Sequence, residues 1–419
     1  SGELSCQPGA PAMATVDCDG RNERSQIVHG RDITDRDGRS MTLAAIGFAF
    51  LAFAGTLQFV TTAGAALRLL PRGRRPEPLE LPPVTLIRPV CGLENFIEEC
   101  VETSFKLTYR DLELIFCVDE ESDPIVPVVR RLIANYPGVD ARLLVGRDSV
   151  GSNPKLNNVV KGWHAARSDL VIMSDSNALL PPDYVERLLE RWNDKVGVVS
   201  TATVVTRLEG LPSELEGAFM NGFQARWVLA ADMVGYGFAL GKTLMWRKSV
   251  LDRLGGLSVL AEEAAEDIAS TKVLRGGPLR PRLAIRPIEQ PVGRRSFATM
   301  WGRQLRWARL RRAGLLATYL PEIVSGGLFP ILTAIALAVA GLFSWPGVAA
   351  YALGWYALEA ILCAIGRWPL RPLSVLSWLV RDALIPVLWV GGWIGNSFEW
   401  RGNVMTVKRG RSPAEPTEA

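Results

Sequence analysis

The chain has 419 residues, 48% of them apolar, and a formal net charge of only +4; its mean hydropathy is +0.14. That apolar share is high for a wholly soluble enzyme and fits one large domain, or two ordinary ones, with membrane segments attached. Two histidines argue against a histidine-based metal site, and six dispersed cysteines without a C-x-x-C pair argue against a zinc or redox motif.

In chain order, residues 1–40 are polar and lack apolar periodicity, so they read as a disordered tail or a start-site extension ahead of Met41. Residues 41–67 form an apolar segment without charge after Met41, long enough at about 1.5 Å per residue to cross a hydrocarbon core of roughly 30 Å. Arg68, Arg72, Arg74 and Arg75 follow it, which predicts a cytosolic carboxyl end and an external N-terminus. Residues 68–83 read as a stiff, proline-rich linker.

Residues 84–314 read as the soluble block. Apolar runs at 84–87, 112–118, 141–145 and 170–173 predict strands, with helical patterns at 97–106, 125–135 and 156–166 between them and another at 184–193. Such alternation predicts parallel pairing with helices on both faces of an α/β sheet. The dispersed cysteines suit a reducing, cytosolic setting for this block. From 315 to 400 the chain is apolar again, with candidate spans at 323–343, 348–365 and 376–394 interrupted by Pro330, Pro386 and the pair Arg381-Asp382. An ionisable pair at such a depth needs internal partners. Hydropathy counts three spans here, whereas the basic tail, 401–419, argues for a cytosolic C-terminus; one of the three would then be interfacial or re-entrant. The tail itself reads as disordered, and the thirteen tryptophans suit membrane–water interfaces.

Polar marks punctuate the soluble block. Asp119, Glu120, Glu121 and Asp123 come just after the second strand, and Asp175 just after the fourth. An open α/β sheet presents ligand groups there, outside the carboxyl ends of its strands. Acids at two neighbouring strand ends can serve one nucleotide-sized ligand: one group hydrogen-bonds base or ribose, the other holds Mg²⁺ or Mn²⁺ against phosphates. In Asp175-Ser176-Asn177 the third position offers an amide instead of a second charge, which weakens that chelation. Lys155 opens a helix, where amides and an ammonium suit an anion, and Asn157-Asn158 beside it suggest a ligand loop. Asp267 lies in the first turn of a helix; it is either a dipole partner or a base for an acceptor hydroxyl. Arg303, Arg306 and Trp307 share helical spacing just before the membrane, as interfacial anchors or as a clamp on a departing diphosphate. The arginine clusters abut apolar segments, so no nucleic-acid partner is expected.

Together, Asp123, Asn153-Pro154-Lys155-Leu156-Asn157-Asn158, Asp175-Ser176, Glu266-Asp267 and Arg303-Gln304-Leu305-Arg306-Trp307 resemble the ceramide glucosyltransferase family. The likeness runs from about residue 83 to 316. It implies an inverting, membrane-bound GT-A nucleotide-sugar fold with its catalytic domain on the cytoplasmic face. It further implies a UDP-sugar donor, most simply UDP-glucose, and a membrane lipid acceptor, ceramide. The implied roles put Asp119 and Asp123 by the nucleotide, Asp175 by metal and diphosphate, and Asp267 as the base. Arg303, Arg306 and Trp307 would line the diphosphate and acceptor end. One departure stands out: eukaryotic relatives carry a histidine before a Pro-Arg-aromatic step, and this chain reads Gln224-Ala225-Arg226-Trp227. Glutamine cannot titrate near neutral pH, so any role of that histidine does not carry over, and the lipid is left open. Hopanoid-linked enzymes with the same marks, N-acetylglucosamine as donor, and a polysaccharide synthase are the alternatives. A transporter or receptor with a nucleotide-sensing domain is a further class, which Asp267 and the Arg-Trp box disfavour.

Overall fold

The computed structural model describes residues 20–70, 81–400 and 403–406. The strands are β1 (Val84–Pro89), β2 (Leu112–Val118), β3 (Ala141–Val145), β4 (Leu170–Ser174), β5 (Val196–Ser200), β6 (Thr203–Glu209), β7 (Thr243–Arg247), β8 (Arg280–Leu283), β9 (Ile288–Arg294), β10 (Ser397–Trp400) and β11 (Asn403–Thr406). Seven of them form a central sheet in the order β3-β2-β1-β4-β7-β5-β8. β1, β2, β3 and β4 pair in parallel, as expected, whereas β7 runs antiparallel to both β4 and β5. A separate parallel pair joins β6 to β9.

The central strands are apolar on both faces because helices cover both. Leu86, Leu114, Phe116 and Ile172 pack with Val129 and Leu132 of the Val126–Asn135 helix and with Tyr184 and Leu188 beyond β4. Ile87, Ile115, Val171 and Met173 face the other way, onto Leu156, Val159 and Trp163 of the Pro154–Ala165 helix. The chain moves outward from β1 through β2 to β3, then returns to lay β4 on the other side of β1. Such a reversal opens a crevice beyond the carboxyl ends of the strands.

Four helices are long and apolar enough to cross a membrane: Met41–Leu69, Leu316–Val339, Trp345–Gly366 and Pro372–Trp393. The first belongs to a longer helix, Gly20–Leu69, so part of the stretch expected to be disordered is helical. Residues 1–19 and most of the 68–83 linker lie outside the described residues. The second span is broken. A short helix (Leu316–Tyr319) and a 3-10 turn (Leu320–Val324) precede the Leu328–Val339 helix, whose twelve residues cover only about 18 Å. Pro386, expected to interrupt the last span, sits inside a continuous helix.

Arg381 and Asp382 have the internal partners their depth demands. The Arg381 guanidinium donates to both oxygens of Glu359 (2.7 and 2.8 Å), to Asp382 and to the Ala218 carbonyl. Asp382 also accepts from the Gly327 amide and the Tyr356 hydroxyl.

Arg68, the first arginine after the apolar segment, is buried: it pairs with Asp232 at 2.9 Å and donates to the Leu283 and Ala284 carbonyls. Asp232, itself buried, also takes Arg191 at 3.3 Å and the Leu283 amide at 3.1 Å. The first span is thereby locked to the soluble block. At the other end, β10 and β11 form an antiparallel pair, so the tail expected to be disordered from 401 contains a strand; the residues beyond 406 lie outside the described ones.

Candidate active site

A cavity of about 1220 Å³ opens beyond the carboxyl ends of β1, β2 and β4. Asp119, Asp123, Lys155, Asp175, Asp267, Arg303, Arg306 and Trp307 all line it. They come from stretches far apart in sequence. Asp119 follows β2, and Asp175 follows β4; Asp267 sits in the first turn of the Glu266–Arg275 helix; the arginines and Trp307 lie on the Phe297–Gly314 helix. Asn157, also expected at the site, does not line the cavity. Its amide oxygen accepts from the Val150 and Gly151 amides and its nitrogen donates to the Gly151 carbonyl, so it shapes the loop before the helix. Its neighbour Asn158 does line the cavity and ties β1 to β2 through the Val90 and Cys117 carbonyls.

The two acids after β2 differ. Both carboxylate oxygens of Asp123 accept from the Gly92 amide (2.9 and 3.0 Å), and Oδ1 also takes the Ile125 amide, so Asp123 fixes the loop after β1. Asp119 keeps Oδ1 buried with no hydrogen-bond partner among the described residues. Burial raises its pKa, opposed mainly by Lys161 and Arg147. A buried oxygen in that condition is a ready acceptor for a donor group of a ligand.

At the centre lies an ion network. Asp175 takes Lys155 at 2.6 Å on one oxygen and Lys242 at 3.0 Å on the other. Burial would raise its pKa, but the two ammonium groups outweigh that and hold the carboxyl well below the usual range. Lys155 also reaches Glu266 at 2.6 Å and the Gly241 carbonyl at 2.5 Å. Burial opposes its charge, yet Asp175 and Glu266 raise its pKa above that of an ordinary lysine. The expected anion site at this helix start is filled from within: the Asn153 side chain caps the amides of Lys155 and Leu156. Lys242 donates to Asn177 as well, and burial, reinforced by Arg303, lowers its pKa despite Asp175.

Asp267 accepts from the Gly241 amide at 3.0 Å and from its own helix at Ile268. Burial, with the adjacent Glu266 charge, raises its pKa to about 6, against the pull of the Gly241 amide and Lys155. A carboxylate poised there is ionised near neutral pH yet basic enough to take a proton. Arg303 is held by the fully buried Glu216 at 2.7 Å and lies over the Trp307 ring at 5.0 Å.

Lys242, Gly241 and Glu216 were missed in the sequence. A lysine between Gly241 and the apolar run of β7 was the available signal. So was Arg88, a charge inside an apolar strand: fully buried, it donates to the carbonyls of Asp175 and Ala178 and so sets the turn after β4.

The cavity is also lined by many apolar side chains. Phe50, Phe53 and Leu57 of the first span line it, as do Trp355, Leu388 and Trp389 of the last two. Phe219, Phe223 and Gln224 join them from a π-helical stretch, Ala218–Ala225, which Asn221 pins to Val205 of β6 through both its amide groups. Wide helical turns of this kind recur at functional sites.

Known proteins resemble this chain along most of its length. The sequence model described as glycosyl transferase family 21 matches residues 44–413. Ceramide glucosyltransferase 3 of Caenorhabditis elegans is 27% identical over 371 residues, covering 86% of this chain and 80% of the relative. Ceramide glucosyltransferase 1 of the same organism is 28% identical over 339 residues, covering 78% and 72%. Among solved structures, the mannosyltransferase PcManGT of Pyrobaculum calidifontis, in complex with GDP-Man and Mn²⁺, superposes with a TM-score of 0.48 at 20% identity, covering 81% of this chain and 99% of that one. The family match begins inside the first apolar helix, runs through every element that lines the cavity and ends beyond the last strand pair, so this chain is a hexosyltransferase and belongs to glycosyl transferase family 21.

Proposed function

We propose that the protein transfers glucose from UDP-glucose to the primary hydroxyl of ceramide, with inversion, on the cytoplasmic side of a membrane. One observation carries this reading: a single cavity is lined both by the charged network and by apolar side chains of the candidate membrane spans. A water-soluble nucleotide and a lipid can meet there without either leaving its own solvent.

In the proposed reaction, Asp119 accepts from base or ribose, and Asp123 keeps the adjoining loop in place. The acceptor oxygen attacks the anomeric carbon as the bond to the diphosphate breaks, and Asp267 takes the acceptor proton. Arg303 and Arg306 receive the negative charge that develops on the leaving UDP, since guanidinium groups make forked, permanently charged contacts with phosphate. Trp307 stacks under Arg303 and limits its freedom.

Asp175, a strongly ionised carboxylate in the cavity, is the residue that would hold a divalent cation, Mg²⁺ or Mn²⁺; among the described residues no group of three or more His, Cys, Asp or Glu is placed to hold one, so the protein supplies a single carboxylate. Phosphate oxygens and water would complete the shell, as is usual for these ions. Lys155 and Lys242 are the partners with which the ion competes. When bound, such a cation supplies positive charge to the diphosphate.

Incubating membranes that contain the protein with labelled UDP-glucose, UDP-galactose or UDP-N-acetylglucosamine, and identifying the labelled product, tests the reading. Glucosylceramide is expected; label confined to a polymer would overturn it. Gln224 lines the cavity, at the place where the family resemblance leads one to expect a histidine, and favours one second reading: the same chemistry on another lipid, such as a hopanoid, or with N-acetylglucosamine. The same assay separates these.

A further inference from the structure

Val234 is 82% exposed, more than any other large apolar side chain among the described residues. The next three, Met41, Val339 and Leu353 at 75, 74 and 72%, all lie in candidate membrane spans. Val234 does not. It sits at the tip of a loop in the soluble block, between the Arg226–Met233 helix and β7, with Met233 and Tyr236 exposed beside it. Isolated apolar residues on a surface are ordinary; a cluster at a loop tip marks a contact surface.

The loop is built, not slack. Gly235 at φ 82° makes the turn, and its amide bonds the Asp232 carbonyl. The Tyr236 amide bonds the Ala231 carbonyl. A side chain at Gly237 would come within 2.3 Å of the Pro281 carbonyl, so the backbone is pressed against β8. Arg275 lies over both following rings, 4.2 Å from the Tyr236 centroid and 4.6 Å from that of Phe238.

Two contacts fix its height against the first span. Asp232 pairs with Arg68, near the end of the span, and a side chain at Gly64 would sit 3.7 Å from the Met233 sulfur. The exposed tip is therefore level with the last turns of that helix, where Leu67 and Leu70 are also exposed. Tyrosine and arginine suit the depth where acyl chains give way to head groups. On the inner side, Tyr236 and Phe238 line the cavity.

We infer that the Met233–Phe238 loop is inserted into the bilayer interface, as a lipid-immersed lip beside the cavity, with the membrane itself as its partner. The inference rests on the apolar helices spanning a membrane but not on which sugar or lipid is used. A benzophenone side chain reports the contact: Val234→p-benzoylphenylalanine in the full chain, reconstituted in phosphatidylcholine vesicles and illuminated. A phospholipid adduct at 234 is expected at a yield comparable to that of the same group at Phe53, on the first span, and at least tenfold above that at Glu121, on a soluble loop. Adducts at 53 with none at 234 would overturn the inference. So would equal yields at 234 and 121. Because the variant replaces a side chain that is almost wholly exposed, folding is not at stake, and the readout does not depend on turnover.

Discussion

Asp267 shows how one side chain's surroundings set its chemistry. An ordinary aspartate is too weak a base at neutral pH, but burial and the Glu266 charge bring this one to about 6. The base form is the ionised form. As pH falls through about 6, the carboxyl protonates and kcat/KM should drop, approaching tenfold per pH unit below that point, provided the donor stays bound. Asp267→Asn should lower kcat by about 10²–10⁴-fold while UDP binding, read by calorimetry, stays within roughly a factor of three. Gly241 is the less visible partner, its amide holding Asp267 and its carbonyl holding Lys155. A methyl group there would lie 3.0 Å from Glu266 and 3.3 Å from Asp267. Gly241→Ala should cost roughly tenfold in kcat through misplacement alone, with little change in melting temperature. At Asp175, chelation by EDTA should weaken UDP binding and Mn²⁺ should restore it; binding indifferent to both would remove the metal from the proposal.

Among elements, the four parallel strands were legible because each is a short apolar run bounded by polar residues, and period and length together specify them. β7 was not, since an antiparallel strand returning into a parallel sheet carries no local mark; only contacts distant in sequence place it. The β10–β11 pair was hidden by the charged residues around it. The partner of Arg68 was hidden for a related reason: nothing nearby in sequence announces that Asp232 will meet it. Breaking this buried pair leaves charges without compensation. Asp232→Ala should destabilise the protein by about 3–5 kcal/mol, seen as an early unfolding transition in detergent. Val234→Asp, a few residues away on the surface, should leave that transition in place.

For the whole molecule, convergence of distant acids on one cavity was readable from their order along the chain, but the network inside it was not. The lysines that neutralise Asp175 come from a helix start and from the edge of β7, and sequence spacing cannot pair them. Orientation can be tested directly. A short epitope inserted after Gly138, where a side chain would meet nothing within 4 Å, should be reached by antibody only when the cytosolic face of membrane vesicles is exposed. The lock between Arg68 and Asp232 has a practical bearing as well. Severing the chain at the proline-rich stretch to remove the first apolar helix would strip a guanidinium from a sealed carboxylate and bare the side of the Arg226–Met233 helix that the first span covers. Truncation would thus yield an aggregating product, and purification of an active form calls for the intact polypeptide in a lipid mimetic.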